Sequence, residues 1–114
     1  PTAASITQVG ELAFDTVIAT GGIRHGLDIA KAIALGATAG GMARPFLMAH
    51  NRGGRDAVSE QLSAIEDEIR IACLLTGSGS VSDLATKPIV LGDALLRWLP
   101  SGSTVRARSM NHFN

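Results

Sequence analysis

One segment constrains the fold of this 114-residue chain more than any other, because it joins two strand patterns through a helix pattern with only glycine turns between them. Residues 16–19 (TVIA) form a β-branched run that favours a strand buried on both faces, and a glycine pair ends it. From Leu27, apolar residues recur at helical spacing until Gly36, and residues 38–43 can form a second strand. Two strands joined through a helix in so few residues are parallel, with a right-handed connection. The sequence therefore predicts an α/β fold with a parallel sheet.

Weaker patterns predict the elements on either side of this unit. In chain order they are a short helix from about Ser5, a loop at residues 51–55, a long helix at 57–75 that Gly77 ends, a flexible linker at 77–80, a helical turn at 81–85, an extended segment at 89–91 and a helix at 93–99 that Pro100 stops. We interpret residues 1–100 as one folded unit and residues 101–114 as a polar, frayed tail.

The charge balance and the single cysteine exclude several classes of protein. Ten Lys and Arg residues balance ten Asp and Glu residues, so the chain lacks the positive field that would hold nucleic acid or an anionic membrane. Cys73 stands alone, which rules out an internal disulfide and fits a reducing compartment. No stretch without a charged residue exceeds twelve residues, whereas a bilayer-spanning helix needs about 20 apolar ones. We therefore expect a soluble cytoplasmic chain with no nucleic-acid or membrane partner.

The turn after the first predicted strand is the strongest candidate for a binding site. Gly21 and Gly22 let the backbone turn sharply and approach a ligand closely. The N–H groups of Ile23 and Arg24 and the positive end of the following helix can donate to a phosphate, and the Arg24 side chain adds a charge. Because many α/β folds use a glycine pair as a plain connector, this turn alone leaves both interpretations open.

The loop that ends the second predicted strand adds a second set of phosphate ligands. Ala43 lacks bulk, and Arg44 can donate through its backbone and its side chain. The carboxyl ends of neighbouring parallel strands lie at the same edge of a sheet, so we expect the two loops to meet there. The alternative that stays open is that Arg24 and Arg44 only pair with surface acids.

Other polar residues are weaker candidates for chemistry. His25 follows the glycine turn and could act as a general base, although a solvated loop residue is the simpler interpretation. Glu66, Asp67 and Glu68 occupy successive helix positions that point in different directions, so we expect an exposed face rather than a metal site. We accordingly assign no catalytic residue and no metal ligand within this chain.

Two stretches resemble a known group of enzymes. Residues 17–37 (VIATGGIRHGLDIAKAIALGA) and 41–47 (GMARPFL) are similar to the FMN-dependent barrels, and most closely to the type 2 isopentenyl-diphosphate isomerase family. The glycine motif is shared with FMN-dependent 2-hydroxy acid oxidases and inosine-monophosphate-type barrels. The outer segments therefore decide the family, and these are PTAASI at 1–6, LLTG at 74–77, PIVLG at 88–92 and WL at 98–99. The resemblance covers nearly the whole chain except the tail.

The resemblance implies a fold and a cofactor site. Residues 1–100 would be the C-terminal portion of an FMN-binding TIM (β/α)8 barrel, containing strands seven and eight with their helices. Thr20 would approach the ribityl chain. The residues that hold the FMN phosphate or shape its turn would be Gly21, Gly22, Ile23, Arg24, Ala43 and Arg44.

The resemblance also implies an activity and partners. The family interconverts isopentenyl and dimethylallyl diphosphate in isoprenoid biosynthesis, using reduced FMN and Mg²⁺, with NADPH as the reductant of the flavin. Its catalytic and metal-binding residues belong to earlier strands, so the missing N-terminal part of the barrel is an expected partner and the isolated chain is expected to be inactive. A homo-oligomer is expected as well.

Two other functions remain open from the sequence. The chain could be a fragment of an FMN-dependent 2-hydroxy acid oxidoreductase, which would require a catalytic histidine just before the sixth-strand loop. It could also be a non-catalytic half-barrel that binds phosphate ligands or assembles with itself. Stable folding and ligand binding without an N-terminal partner would favour the half-barrel.

Overall fold

A computed structural model describes residues 1–110 of the chain. Its elements, in order, are α1 (Thr2–Gly10), β1 (Ile18–Ala19), α2 (Gly26–Ala34), β2 (Ala39–Gly40), α3 (Arg44–Leu75), a 3-10 helix (Ser82–Thr86), α4 (Asp93–Leu96) and α5 (Thr104–Ala107). No helix within residues 1–110 has both the length and the apolar character to cross a membrane.

The predicted strand–helix–strand unit is present, with shorter strands than expected. β1 and β2 pair in parallel, with Ile18 opposite Ala39 and Ala19 opposite Gly40. Only one face of this pair is covered, since Ala19 is 2% exposed and packs with Ile6 of α1, whereas Ile18 is 61% exposed. The prediction that the first strand is buried on both faces is therefore wrong for this chain, because its helices form a layer on one side only.

Helices α2 and α3 end as the glycine pattern predicts. At the end of α2, Gly36 has a φ of +115°, its N–H donates to Ile33 O at 3.0 Å, and the N–H of Ala37 donates to Ala32 O at 3.0 Å. This pair of bonds is a Schellman motif, which satisfies carbonyls that the helix itself leaves free. Gly77 ends α3 in the same way, with a φ of +64°.

The loop predicted at residues 51–55 is wrong in extent. α3 begins at Arg44, directly after β2, and only Gly53 and Gly54 leave the helical conformation. Pro45 near the first helical position suits this early start, because its fixed φ is already helical. The two glycines therefore divide α3 into two halves joined by a kink, and the predicted helix at 57–75 is the second half.

The predicted flexible linker at residues 77–80 is also wrong, because side chains hold its backbone. One carboxylate oxygen of Asp83 accepts the N–H groups of Gly79 at 2.9 Å and Ser80 at 3.1 Å. The Lys87 ammonium donates to Gly77 O at 2.8 Å. The helical turn expected next is confirmed as the 3-10 helix, which starts beside these contacts.

The predicted frayed tail is wrong for residues 101–110, while residues 111–114 lie outside the described part. α5 is capped by the Ser103 hydroxyl, which accepts the Arg106 N–H, and Val105 is 3% exposed. Val105 packs with Leu91 and Leu99, so a mostly polar stretch completes a core cluster through one buried apolar residue. The helix expected at 93–99 is shorter, because α4 ends at Leu96.

Candidate functional site

The two strand ends open into one cavity of about 960 Å³. All six residues that the sequence singles out as phosphate ligands line it, so the predicted meeting of the two loops is found. The lining residues are Thr20, Gly21, Gly22, Ile23, Arg24, His25, Gly41, Met42, Ala43, Arg44, Pro45, Met48, Arg52 and Gln61.

Close backbone packing brings the two loops together. The Gly41 N–H donates to Ala19 O at 2.8 Å, which continues the parallel pairing past the end of β2. A β-carbon on Gly41 would lie only 2.8 Å from Cγ2 of Thr20. Glycine at position 41 therefore lets the second loop lie beside the first without displacing the Thr20 side chain.

The turn after β1 uses two consecutive glycines in the left-handed region. Gly21 has a φ of +83° and Gly22 a φ of +82°, conformations that side chains with a β-carbon rarely adopt. The Thr2 hydroxyl at the start of α1 donates to Gly21 O at 3.0 Å and holds the turn from behind. Within residues 1–110, the amides of Gly22 and Ile23 have no acceptor and remain available to a ligand.

The N-terminus of α2, expected to help bind a phosphate, is already occupied by carboxylates of the protein. One oxygen of Asp28 accepts the N–H groups of Arg24 at 3.0 Å and His25 at 3.1 Å. An oxygen of Glu68 accepts the N–H of Leu27 at 3.2 Å. The expectation that the Arg24 amide and this helix end donate to a phosphate is therefore wrong, since these groups have internal partners.

The N-terminus of α3 is open instead. Its N-cap is Ala43, which has no side-chain acceptor, and no residue of the described range caps the helix in its place. The amides of Ala43 and Arg44 likewise have no acceptor among residues 1–110. A helix end with free N–H groups and a positive dipole favours an anion, and here it faces the cavity.

Positive charge collects in this cavity although the chain is neutral overall. Three arginines line it, Arg24, Arg44 and Arg52, and no Asp or Glu does. Among residues 1–110 the ion pairs all involve Arg70, with Glu66 and Asp67. This finding contradicts the alternative that Arg24 and Arg44 only pair with surface acids, and it makes the cavity suitable for an anionic ligand.

Sequence reasoning missed three lining residues on α3, Met48, Arg52 and Gln61. Arg44, Met48 and Arg52 are spaced four residues apart, which places them on one face of a helix. The four-residue spacing is visible in the sequence. The predicted loop at residues 51–55 includes Arg52, however, and so conceals that the three residues share one helix face. Gln61 lies beyond the kink, and no local signal predicts that it turns back to the cavity.

The weaker candidates take structural positions. Glu66 and Asp67 are exposed beside Arg70, as expected of a solvated face. Glu68 differs, because it caps α2 and ties the two helices together. No group of three or more His, Cys, Asp or Glu side chains within residues 1–110 is arranged to hold a metal ion.

Comparison with known proteins gives the cavity a family context. The model of the FMN-dependent dehydrogenase family matches residues 4–91. An isopentenyl-diphosphate delta-isomerase of Sulfurisphaera tokodaii is 44% identical over 102 residues, which are 89% of this chain and 27% of the relative. The corresponding enzyme of Halobacterium salinarum is 52% identical over 92 residues, which are 80% of this chain and 25% of the relative.

A solved structure with a similar fold is the flavin-binding domain of baker's yeast flavocytochrome b2. It superposes with a TM-score of 0.66 and 28% identity, over 90% of this chain and 30% of that one. The chain thus spans about a quarter of the length of the curated relatives. Its resemblance to isopentenyl-diphosphate isomerase is confirmed by these matches. Because the family model matches most of its length, the chain belongs to the FMN-dependent dehydrogenase family.

Proposed function

We propose that this chain is the part of an isopentenyl-diphosphate isomerase that holds the phosphate of FMN, and that it forms strands seven and eight of a (β/α)8 barrel. One observation carries the proposal: two parallel strand ends, an uncapped helix N-terminus and three arginines without an acid meet in one cavity. The proposal also draws on the identity to the isomerases, 44% and 52%, against 28% to flavocytochrome b2.

Two kinds of donor would hold the phosphate. The free amides of Gly22, Ile23, Ala43 and Arg44 can each donate a hydrogen bond, and a dianion satisfies several such donors at once. The guanidinium groups of Arg24 and Arg44 add charge-assisted bonds, which are about twice as strong as neutral ones. Asp28 has the complementary task, because it fixes the backbone at Arg24 and leaves the glycine turn in place.

The chemistry of the reaction lies outside these residues. Reduced FMN, when bound, would supply proton transfer to and from the carbon skeleton of isopentenyl diphosphate. The residues of this chain bind and orient the cofactor through its phosphate, and none of them is assigned a catalytic role. The described residues offer no ligand cluster for Mg²⁺, so Mg²⁺ and NADPH enter the proposal only through the remainder of the barrel.

The exposed face of the strand pair supports a partner for this chain. Ile18 is 61% exposed on β1, and nothing within residues 1–110 covers that face. An apolar sheet face and two unpaired strand edges favour association with further strands. We propose the earlier strands of the barrel as that partner. The cytoplasmic location and the homo-oligomeric state expected of the enzyme remain predictions.

Two other functions are compatible with some of these observations. A 2-hydroxy acid oxidoreductase is compatible with the family model and with the flavocytochrome b2 fold. A non-catalytic phosphate-binding half-barrel is compatible with the cavity, which the chain builds by itself. The isomerase is favoured over the first by sequence identity. Stable folding and ligand binding without the earlier strands would favour the half-barrel, whereas activity in a complete barrel would favour an enzyme.

Cofactor binding is the first test of the proposal. The purified chain is titrated with FMN and with riboflavin, which lacks the phosphate, and flavin fluorescence is followed. We expect FMN to bind at least about tenfold more tightly than riboflavin, because the phosphate contacts are charge-assisted. Arg24→Gln should remove most of this difference, whereas Arg97→Gln, at an exposed residue that does not line the cavity, should not. Equal binding of the two flavins, or no binding, would contradict the cofactor site.

A chimera tests the reaction. The segment of the Sulfurisphaera tokodaii enzyme that matches this chain is replaced by the chain itself, and the purified chimera is assayed with isopentenyl diphosphate and with a 2-hydroxy acid such as lactate. Isomerisation without oxidation of the hydroxy acid is the expected result. An FMN-loaded chimera that catalyses neither reaction would favour the non-catalytic half-barrel.

A further inference from the structure

We propose that Arg52 stabilises the phosphate of the bound flavin as a third positive charge in the cavity, and that the kink at Gly53 and Gly54 completes the cavity beside it. This inference rests on the proposed function, because it names a further residue of the same site. Arg52 lines the cavity together with Arg24 and Arg44, and no acidic side chain of the described residues pairs with it.

Helix geometry directs the Arg52 side chain toward the phosphate loops. Arg52 lies eight residues after Arg44 on the same face of α3, so its Cα is about 12 Å further along the axis. Side chains of a helix lean toward its N-terminus. An arginine two turns into α3 therefore leans back over Met48 toward the open helix end, where the amides of Ala43 and Arg44 are free. Its charge acts on a phosphate at that end across the cavity, without direct contact.

The kink gives the cavity its far wall. Gly54 has a φ of +65° and a ψ of −147°, a combination that is essentially restricted to glycine. The chain bends there, and Gln61 of the second half of α3 lines the same cavity as Arg52 of the first half. Without the kink, a continuous helix would carry Gln61 away from the cavity along the axis.

The kink also separates two arginines that are close in sequence. Arg52 precedes it and lines the cavity, whereas Arg55 follows it and does not. Both side chains belong to exposed residues with no ion pair among residues 1–110. They therefore form a matched pair, in which the same substitution removes the same charge and differs only in access to the cavity.

Isothermal titration with FMN and riboflavin compares the wild-type chain with Arg52→Gln and Arg55→Gln. We expect Arg52→Gln to weaken FMN binding by about fivefold and to leave riboflavin binding unchanged, because a positive charge near the phosphate is lost. Arg55→Gln should bind both flavins like the wild type. Arg52→Lys should recover most of the affinity, since it restores the charge.

Each outcome has a distinct meaning. If wild type prefers FMN over riboflavin and the two Gln variants both match it, the role of Arg52 is overturned and the cofactor site stands. If both variants lose the same affinity, the effect is a general loss of charge and the role of Arg52 is again overturned. If wild type itself does not prefer FMN, the proposed function fails and the inference with it.

Gly54→Ala tests the kink itself. The substitution adds one methyl group with no atom within 4 Å of it, so its effect comes from backbone conformation. We expect reduced FMN affinity in a chain that still folds, as judged by its circular dichroism. Unchanged FMN affinity in a folded Gly54→Ala chain would overturn the role of the kink in completing the cavity.

Discussion

A β-carbon placed on Gly26 would lie 2.3 Å from the carbonyl oxygen of Ile65. The backbones of α2 and α3 therefore touch at this point, with no side chain between them. The contact brings the start of α2 within reach of Glu68, whose carboxylate accepts the Leu27 N–H at 3.2 Å. The position of the cavity depends on this contact, because the glycine turn precedes α2 and the arginines Arg44 and Arg52 belong to α3.

Gly26→Ala should destabilise the chain, because the new methyl group collides with backbone that cannot move aside alone. We expect a loss of about 1–3 kcal/mol in the free energy of unfolding, the usual cost of overpacking. Urea denaturation followed by circular dichroism measures it. Gly102→Ala is the control, since Gly102 has open space around it and no positive φ. Equal midpoints for the two variants would contradict the contact.

Gly22→Ala should separate binding from stability. Gly22 and Gly77 both have a positive φ and open space around the added methyl group, so each alanine costs about 1–2 kcal/mol through backbone strain alone. Only Gly22 lines the cavity. We expect both variants to lose similar stability in urea, and Gly22→Ala alone to lose affinity for FMN. A similar loss of affinity in Gly77→Ala would indicate a global effect rather than a local one.

Arg108 ties three segments of the chain together. Its guanidinium donates to the carbonyl oxygens of Ala34, Ala85 and Lys87, the last at 3.1 Å. Burial lowers the pKa of this guanidinium from its ordinary value, but arginine remains charged throughout the neutral range. The contacts therefore persist across that range and do not depend on titration of the side chain.

Arg108→Ala should consequently cost about 1–3 kcal/mol, the usual value of hydrogen bonds to a charged group. Because Arg108 does not titrate near neutrality, the loss should be the same at about pH 6 and about pH 8. Urea denaturation at both pH values measures it, with Arg97→Ala as a control at an exposed arginine. A loss confined to one pH would mean that another ionisable group controls the stability of this region.

The strand–helix–strand unit and its two loops were predictable because their signals are local. The signals are the glycine pairs, the helical spacing of apolar residues from Leu27 and the β-branched run, and each spans only a few residues. The parallel order of the strands follows from the short helical connection between them. The six candidate ligands are found in one cavity for that reason. The kink was misread as a longer loop, since the glycines outweighed the helical spacing from Arg44.

The capping of α2 could not be read from the sequence in the same way. Asp28 lies in the first turn of α2, where an acidic residue favours the helix dipole, and its carboxylate takes the amides that a phosphate would have used. Glu68 lies 41 residues from the Leu27 amide that it accepts, and no local pattern relates the two. Contacts at such sequence separation depend on how helices pack, which is why the open helix end was assigned to α2 instead of α3.

Residues 101–110 provide the last test, because their polar composition predicts fraying whereas Val105 packs them against a core cluster. Val105 is 3% exposed against Leu91 and Leu99, whereas Val90 is 77% exposed. Val105→Ala should lower the free energy of unfolding by about 1–3 kcal/mol, through lost burial and a small cavity. Val90→Ala, the same chemical change at an exposed site, should cost less than about 0.5 kcal/mol.

Equal urea midpoints for the two variants would mean that this segment frays in solution, as its composition suggests. A difference would mean that one buried apolar residue is enough to dock a mostly polar segment, since Ser103 and Arg106 satisfy the backbone groups around it.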